Sequence, residues 1–176
     1  CTYIADGHHR AASAAKVRST AGANATPEAD VFLTTLFPSD QLKIMSYNRV
    51  IKDLNGMDKE DFLSALQDDF MISTADGSID PEALHEFGMY LDKKWYHLTA
   101  IDGTYTEDPI GVLDITIFSK NILEKLLDIK DQRTDKRIDF VGGIRGVGEL
   151  ERRVDSGEMQ VAFSFYPVSI QQLFDR

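Results

Sequence analysis

The chain opens on Cys1-Thr2-Tyr3-Ile4-Ala5-Asp6-Gly7-His8-His9-Arg10, followed at once by an alanine-rich run over residues 11–17. A short β-prone segment, the turn pair Asp6-Gly7 and then strong helix formers predict a strand that stops abruptly and feeds a helix. His8, His9 and Arg10 are thereby placed at a helix N-terminus. The first turn of a helix carries backbone N–H groups without intrahelical partners, at the positive end of the macrodipole, and this stabilises anions, phosphate above all. Asp6 is the expected N-cap, Gly7 lets a ligand approach the backbone closely, and Arg10 adds a planar cationic fork suited to phosphate or carboxylate oxygens. With the helix starting near Gly7, residues Asp6, His9, Ser13 and Lys16 share one polar stripe. The competing reading is an ordinary solvated cap. Five candidate site groups against one strand end favour an anion or metal site.

Composition narrows the classes. The chain has 176 residues, enough for one ordinary domain with a real core. Its 43% hydrophobic and 27% charged residues are those of a globular protein. No apolar run approaches the roughly 20 residues that span a bilayer, so no membrane partner is expected. A net charge of −10 argues against nucleic acid, because that affinity rests on neutralising many phosphates. A single Cys allows no internal disulfide and points to a reducing, cytoplasmic setting.

Further along, residues 19–29 read as a polar loop, and Val31-Phe32-Leu33-Thr34-Thr35-Leu36-Phe37 as a buried strand ended by Pro38. Residues 43–51 read as its antiparallel neighbour. Residues 57–66 predict an amphipathic helix with an acidic first turn, followed by a short strand near 70–72. Asp76-Gly77 is a turn, since the closing Glu of an EF-hand loop is missing. Residues 81–87 predict a short helix with Pro81 at its first position. Residues 89–91 and 95–100 predict a hairpin around Asp92-Lys93-Lys94. Apolar residues at 113, 117, 118, 122, 123, 126 and 127 predict a core helix. A strand over 138–141 runs into a glycine-rich loop, 142–148, that fits neither a Walker A loop nor a dinucleotide fingerprint. A helix over 149–154, a strand over 159–166 and a last helix over 168–174 complete the chain, the strand–helix–strand run implying a small parallel unit. The expected class is α/β or α+β on a mixed sheet, as one domain with a lobe change near 102–112.

The run Tyr3-Ile4-Ala5-Asp6-Gly7-His8-His9-Arg10 resembles the central motif of the domain-of-unknown-function 1015 family. Leu113-Asp114-Ile115-Thr116-Ile117 and Val154-Asp155-Ser156-Gly157-Glu158 resemble that family's second half. The resemblance implies an internal or C-terminal fragment of a larger protein, with an N-terminal part of the same protein as a partner in the site. Members carry Thr-His-Arg where this chain has Tyr47-Asn48-Arg49; Arg49 keeps the capacity to bind an anion, whereas Asn48 cannot titrate. More loosely, strand, Gly-x-x-Arg and helix resemble the phosphate-binding signature of the ParB and sulfiredoxin superfamily, which includes kinases acting on free serine. By that likeness Gly7 and Arg10 match the phosphate-cradling positions, while the sulfiredoxin nucleophile is replaced by His8.

The leading functional expectation is an enzyme acting on a phosphorylated small molecule, with phosphoryl transfer to or from a free amino acid such as serine as its sharpest form. In that scheme His8 and Asp6 are catalytic, and Gly7, His9, Arg10, Ser13 and Arg49 bind phosphate. A nucleotide and a divalent metal ion are the cofactors this chemistry suggests, with metal ligands unassigned. A homodimer is left open. The alternatives are a nucleotide-sensing regulator without turnover and a metallohydrolase drawing ligands from Asp6, His8 and His9.

Overall fold

The computed structural model describes residues 2–167 and divides into two compact units, residues 1–42 and 43–176. The first contains α1 (His8–Ala21) and three short 3-10 turns at Gly22–Asn24, Pro27–Asp30 and Ser39–Gln41. Arg18 holds the end of α1, donating through Nη1 to Gly22 O at 3.0 Å and pairing with Asp30. Two strands expected here are absent. Residues 2–5 lead into α1 without strand pairing, and residues 31–37 are not a strand despite their composition. Leu33 is 95% exposed. A β-branched run becomes a strand only where a neighbour takes its backbone N–H and C=O groups, and none does so here.

The second unit is built on one six-stranded sheet: β1 (Tyr47–Ile51), β2 (Phe70–Ala75), β3 (Glu86–Leu91), β4 (Lys94–Ala100), β5 (Ile138–Gly142) and β6 (Val161–Phe165). The order is β2-β4-β3-β6-β1-β5, and every neighbouring pair is antiparallel. The class is therefore α+β, and the sheet is antiparallel, where a mixed one was expected. β1 pairs with β5 and β6, not with residues 31–37. Because β5 and β6 both run against β1, they point the same way but never touch, so the expected parallel pair is a crossover spanning one intervening strand. The helix expected over 168–174 lies outside the described residues.

Periodicity explains the elements that match. α2 (Lys59–Leu66) starts where Asp58 caps it, its carboxylate accepting from Asp61 N at 2.8 Å, and it buries Phe62 and Leu66. Asp58→Ala is expected to cost about 1 kcal/mol, measured as a lower urea midpoint with unchanged slope. In the β3–β4 hairpin Asp92 and Lys93 both take positive φ, 49° and 60°, the twist that a two-residue hairpin turn requires. The core helix is α3 (Asp114–Phe118), which continues as a π-helical stretch through Ser119–Glu124.

The helix expected over 81–87 is missing: Glu86 and Phe87 already belong to β3. The reason is tertiary. Gly88 lies so close to its neighbours that a Cβ there would stand 2.2 Å from Ser164 Oγ and 2.8 Å from Ile79 O, and only a bare backbone permits that approach. β3 is buried on both faces. On one, Phe87, Met89 and Leu91 join Phe62, Phe118, Ile122 and Phe163 under α2 and α3. On the other, Tyr90 and Trp95 pack with Val50, Val141 and Leu150 under α4 (Gly148–Asp155). Trp95 Nε1 donates to Glu151 at 2.7 Å and Tyr90 OH to Asp155 at 3.1 Å, tying α4 to the sheet.

Candidate functional site

Gly7, not Asp6, occupies the N-cap position of α1, so the helix start has no side-chain cap. Its φ of 80° is left-handed, which a Cβ-free residue adopts without strain, and no side chain bonds to the first turn. Asp6 instead accepts from Gly7 N through Oδ1 at 2.7 Å and faces Arg10 Nη2 at 3.6 Å. Arg10 folds back over Gly7, so that a Cβ at Gly7 would lie 2.9 Å from Arg10 Nη2. A guanidinium thus lies beside a glycine backbone at the uncapped start of a 14-residue helix. The Asp6–Arg10 pair is exposed on both sides, at 93% and 76%, and such a pair in water holds weakly.

The histidines lie on the first turn, both exposed. Their ring centroids are 4.2 Å apart and their planes tilted by 46°, so the two imidazoles present different edges. Asp6 reaches the Gly7 amide and Arg10, and bonds to neither histidine. Ser13 stands one turn beyond His9 on the surface of α1, where it and Lys16 line a depression with Val17 and Thr20. Among the described residues no group of three or more His, Cys, Asp or Glu side chains is arranged to hold a metal ion, so Asp6, His8 and His9 do not form a ligand trio.

Arg49 belongs to the other unit. It sits on β1 at 8% exposure, its guanidinium carbon 5.3, 5.0 and 4.9 Å from the ring centroids of Tyr47, Phe140 and Phe165. Its Nη1 donates to Tyr47 O. Burial lowers its pKa to about 10, and it remains a cation at neutral pH. Asn48 is buried and accepts from Phe165 N through Oδ1 at 3.2 Å. Here that position stitches β1 to β6.

One cluster gave no signal in the sequence. His85 takes a positive φ of 67°, its Nε2 lies 3.0 Å from Val112 O, and its Nδ1 lies 3.1 Å from Tyr105 OH; the same hydroxyl donates its one proton to Asp102 at 3.1 Å. Asp114 accepts from His85 N at 2.8 Å, and burial raises its carboxyl pKa above the usual range. The chain of contacts fastens the loop after β4 to the start of β3, through residues that lie far apart in sequence. Desolvation outweighs the single backbone donor at Asp114, so the folded form binds its proton more tightly than the unfolded chain does. The resulting penalty is present above the raised pKa and relieved as pH falls through it.

Comparison with curated proteins and with solved structures gives no match. The family model described as "Protein of unknown function (DUF1015)" matches residues 1–116, which include the whole Asp6–Arg10 motif and the first four strands of the sheet. By that match over about two thirds of its length, the chain belongs to the DUF1015 family.

Proposed function

We propose that this chain handles phosphorylated small molecules, and that residues 6–10 form its oxyanion site. The observation that carries the reading is Arg10 folded over Gly7 at an uncapped helix start. Free first-turn amides and an adjacent guanidinium are the two kinds of donor that phosphate oxygens take, and here they converge. The Asp6 carboxylate already lies against the Gly7 amide and Arg10, and so marks where an external anion would find its donors.

In this reading the amides of the first turn and Arg10 hold phosphate oxygens, His9 helps to hold the group, and His8 moves the proton. Phosphoryl transfer needs alignment, oxyanion stabilisation and a proton carrier, and these residues are of those types. A free amino acid such as serine as acceptor rests only on the likeness of Asp6-Gly7-His8-His9-Arg10 to the motif of the free-serine kinases.

Arg10→Ala is expected to weaken binding of a phosphoryl ligand by roughly 1.5–3 kcal/mol, the range for a hydrogen bond to a charged group. Fold stability should change much less, since the Arg10 side chain is 76% exposed. Arg10→Lys should restore affinity only in part, because an ammonium lacks the bidentate fork. Calorimetry with inorganic phosphate or phosphoserine on the three proteins checks this; equal affinities would remove Arg10 from the site.

A further inference from the structure

Arg49 is a buried cation without a counter-charge, and it lies outside the Asp6–Arg10 motif. None of the ion pairs among the described residues includes it. Of its N–H donors, one nitrogen reaches Tyr47 O, while Nε is buried and has no acceptor. Removing one partner from a buried charge is strongly destabilising, so a cation kept this way calls for an anion from outside the described residues. Three aromatic rings around the guanidinium stabilise the charge through their faces, but they offer no acceptor in the plane where its N–H groups point.

Arg49 lines an open pocket of about 350 Å³ between β1, β5, the π-helical stretch and the loop after it. Lys130 and Arg133 stand at that pocket on side chains 84% and 83% exposed. Both already have partners at the surface: Lys130 pairs loosely with Asp128 at 3.6 Å, and Arg133 holds Asp131 through two bonds of 3.0 Å. Gln132 donates to Ser119 Oγ at 3.1 Å and leaves its buried Oε1 without a partner. Of the three cations at the pocket, Arg133 is engaged by Asp131 and Lys130 by Asp128, which leaves Arg49 as the one without an ion pair among the described residues. The pocket therefore lacks both an anion for Arg49 and a donor for Gln132. Hydrogen phosphate carries both, in its charged oxygens and its P–OH; a carboxylate carries only the first.

We propose that this pocket is a second oxyanion site, taking the phosphate group of a small molecule, with Arg49 as the buried donor and Lys130 and Arg133 at its mouth. The proposal goes beyond the phosphoryl-transfer reading and stands or falls apart from it, since it uses no residue of the motif.

The test follows the Arg49 Nε–Hε cross-peak of the 15N-labelled chain while inorganic phosphate is added near pH 7. Sodium chloride at matched ionic strength and sodium acetate serve as controls. The expected result is a saturable shift with phosphate, absent with chloride, weaker with acetate, and retained in Arg10→Ala. Phosphate should also raise the Tm of Arg10→Ala, in which the motif is weakened, and adding Arg49→Met, which keeps the volume between the rings, should lose that rise. Should Arg49→Met not fold, Lys130→Ala combined with Arg133→Ala alters exposed side chains only and must lose the saturation. An Arg49 signal indifferent to phosphate, an equal response to chloride or acetate, or wild-type affinity in the double variant overturns the proposal. A shift that disappears in Arg10→Ala assigns the phosphate to the motif and also overturns it.

Discussion

Phe118→Ala lowers the free energy of unfolding by about 3–5 kcal/mol, the cost of emptying a large aromatic site in a close-packed core. Phe118 is fully buried where α3 meets the sheet. Its ring packs edge-on against Phe163 and Phe165, with centroids 4.9 Å away in both cases, and lies 6.4 Å from Phe87. Those partners come from β6 and β3, so a cavity here loosens the helix from the middle of the sheet, where collapse to fill the space is hardest. Phe118→Leu keeps much of the volume and should cost far less. Chemical denaturation of the two variants checks the prediction. A loss below about 1 kcal/mol for alanine, which is the scale of a surface change, would mean that α3 does not close the core.

If residues 6–10 act as proposed, His8→Asn in the full-length enzyme is expected to lower turnover by about 10²- to 10⁴-fold, the usual worth of general acid–base catalysis, with little change in ligand binding. His9→Asn acts instead mainly on affinity. Neighbouring helical positions differ by about 100°, and the 46° tilt between the rings shows the two imidazoles aimed differently despite their contact. Asparagine preserves a hydrogen-bonding end but cannot carry the proton, which separates transfer from holding. Steady-state kinetics with parallel binding measurements decides between the two residues. Wild-type turnover in His8→Asn takes the proton-transfer role away from His8.

Local pattern carried most of the second unit. The caps and spacing of α2, the positive-φ turn at Asp92-Lys93, the apolar period through Phe118 and Ile122, and the strand around Phe163 are all encoded within a few residues of themselves. Strand partnership is not. Arg49 pairs with Phe140 and Phe163, some hundred residues downstream, and nothing near β1 announces either. Residues 31–37 have strand composition but no partner, and Gly88 marks a close approach to Ser164 that only the assembled sheet reveals.

The site was legible to a similar depth. Helix formers after Gly7 placed His8, His9 and Arg10 on a first turn, and that is where they lie. The cap itself was misread, because Asp6 turns toward Gly7 N and Arg10 and leaves the N-cap position to Gly7. Burial of Arg49 had one available signal: it shares a strand face with Ile51, a position where a cation is out of place unless something neutralises it. The His85–Tyr105–Asp102 chain had none, since its members are joined only through tertiary geometry.

The central claim, that the uncapped turn beside Arg10 receives an oxyanion, is tested most directly by adding inorganic phosphate to the 15N-labelled chain and following the backbone amides of His8, His9 and Arg10. A bound phosphate accepts from these amides, so their cross-peaks should shift saturably, and more weakly in Arg10→Ala. Amides that do not move across the titration, or that move identically with chloride of equal ionic strength, would contradict the account.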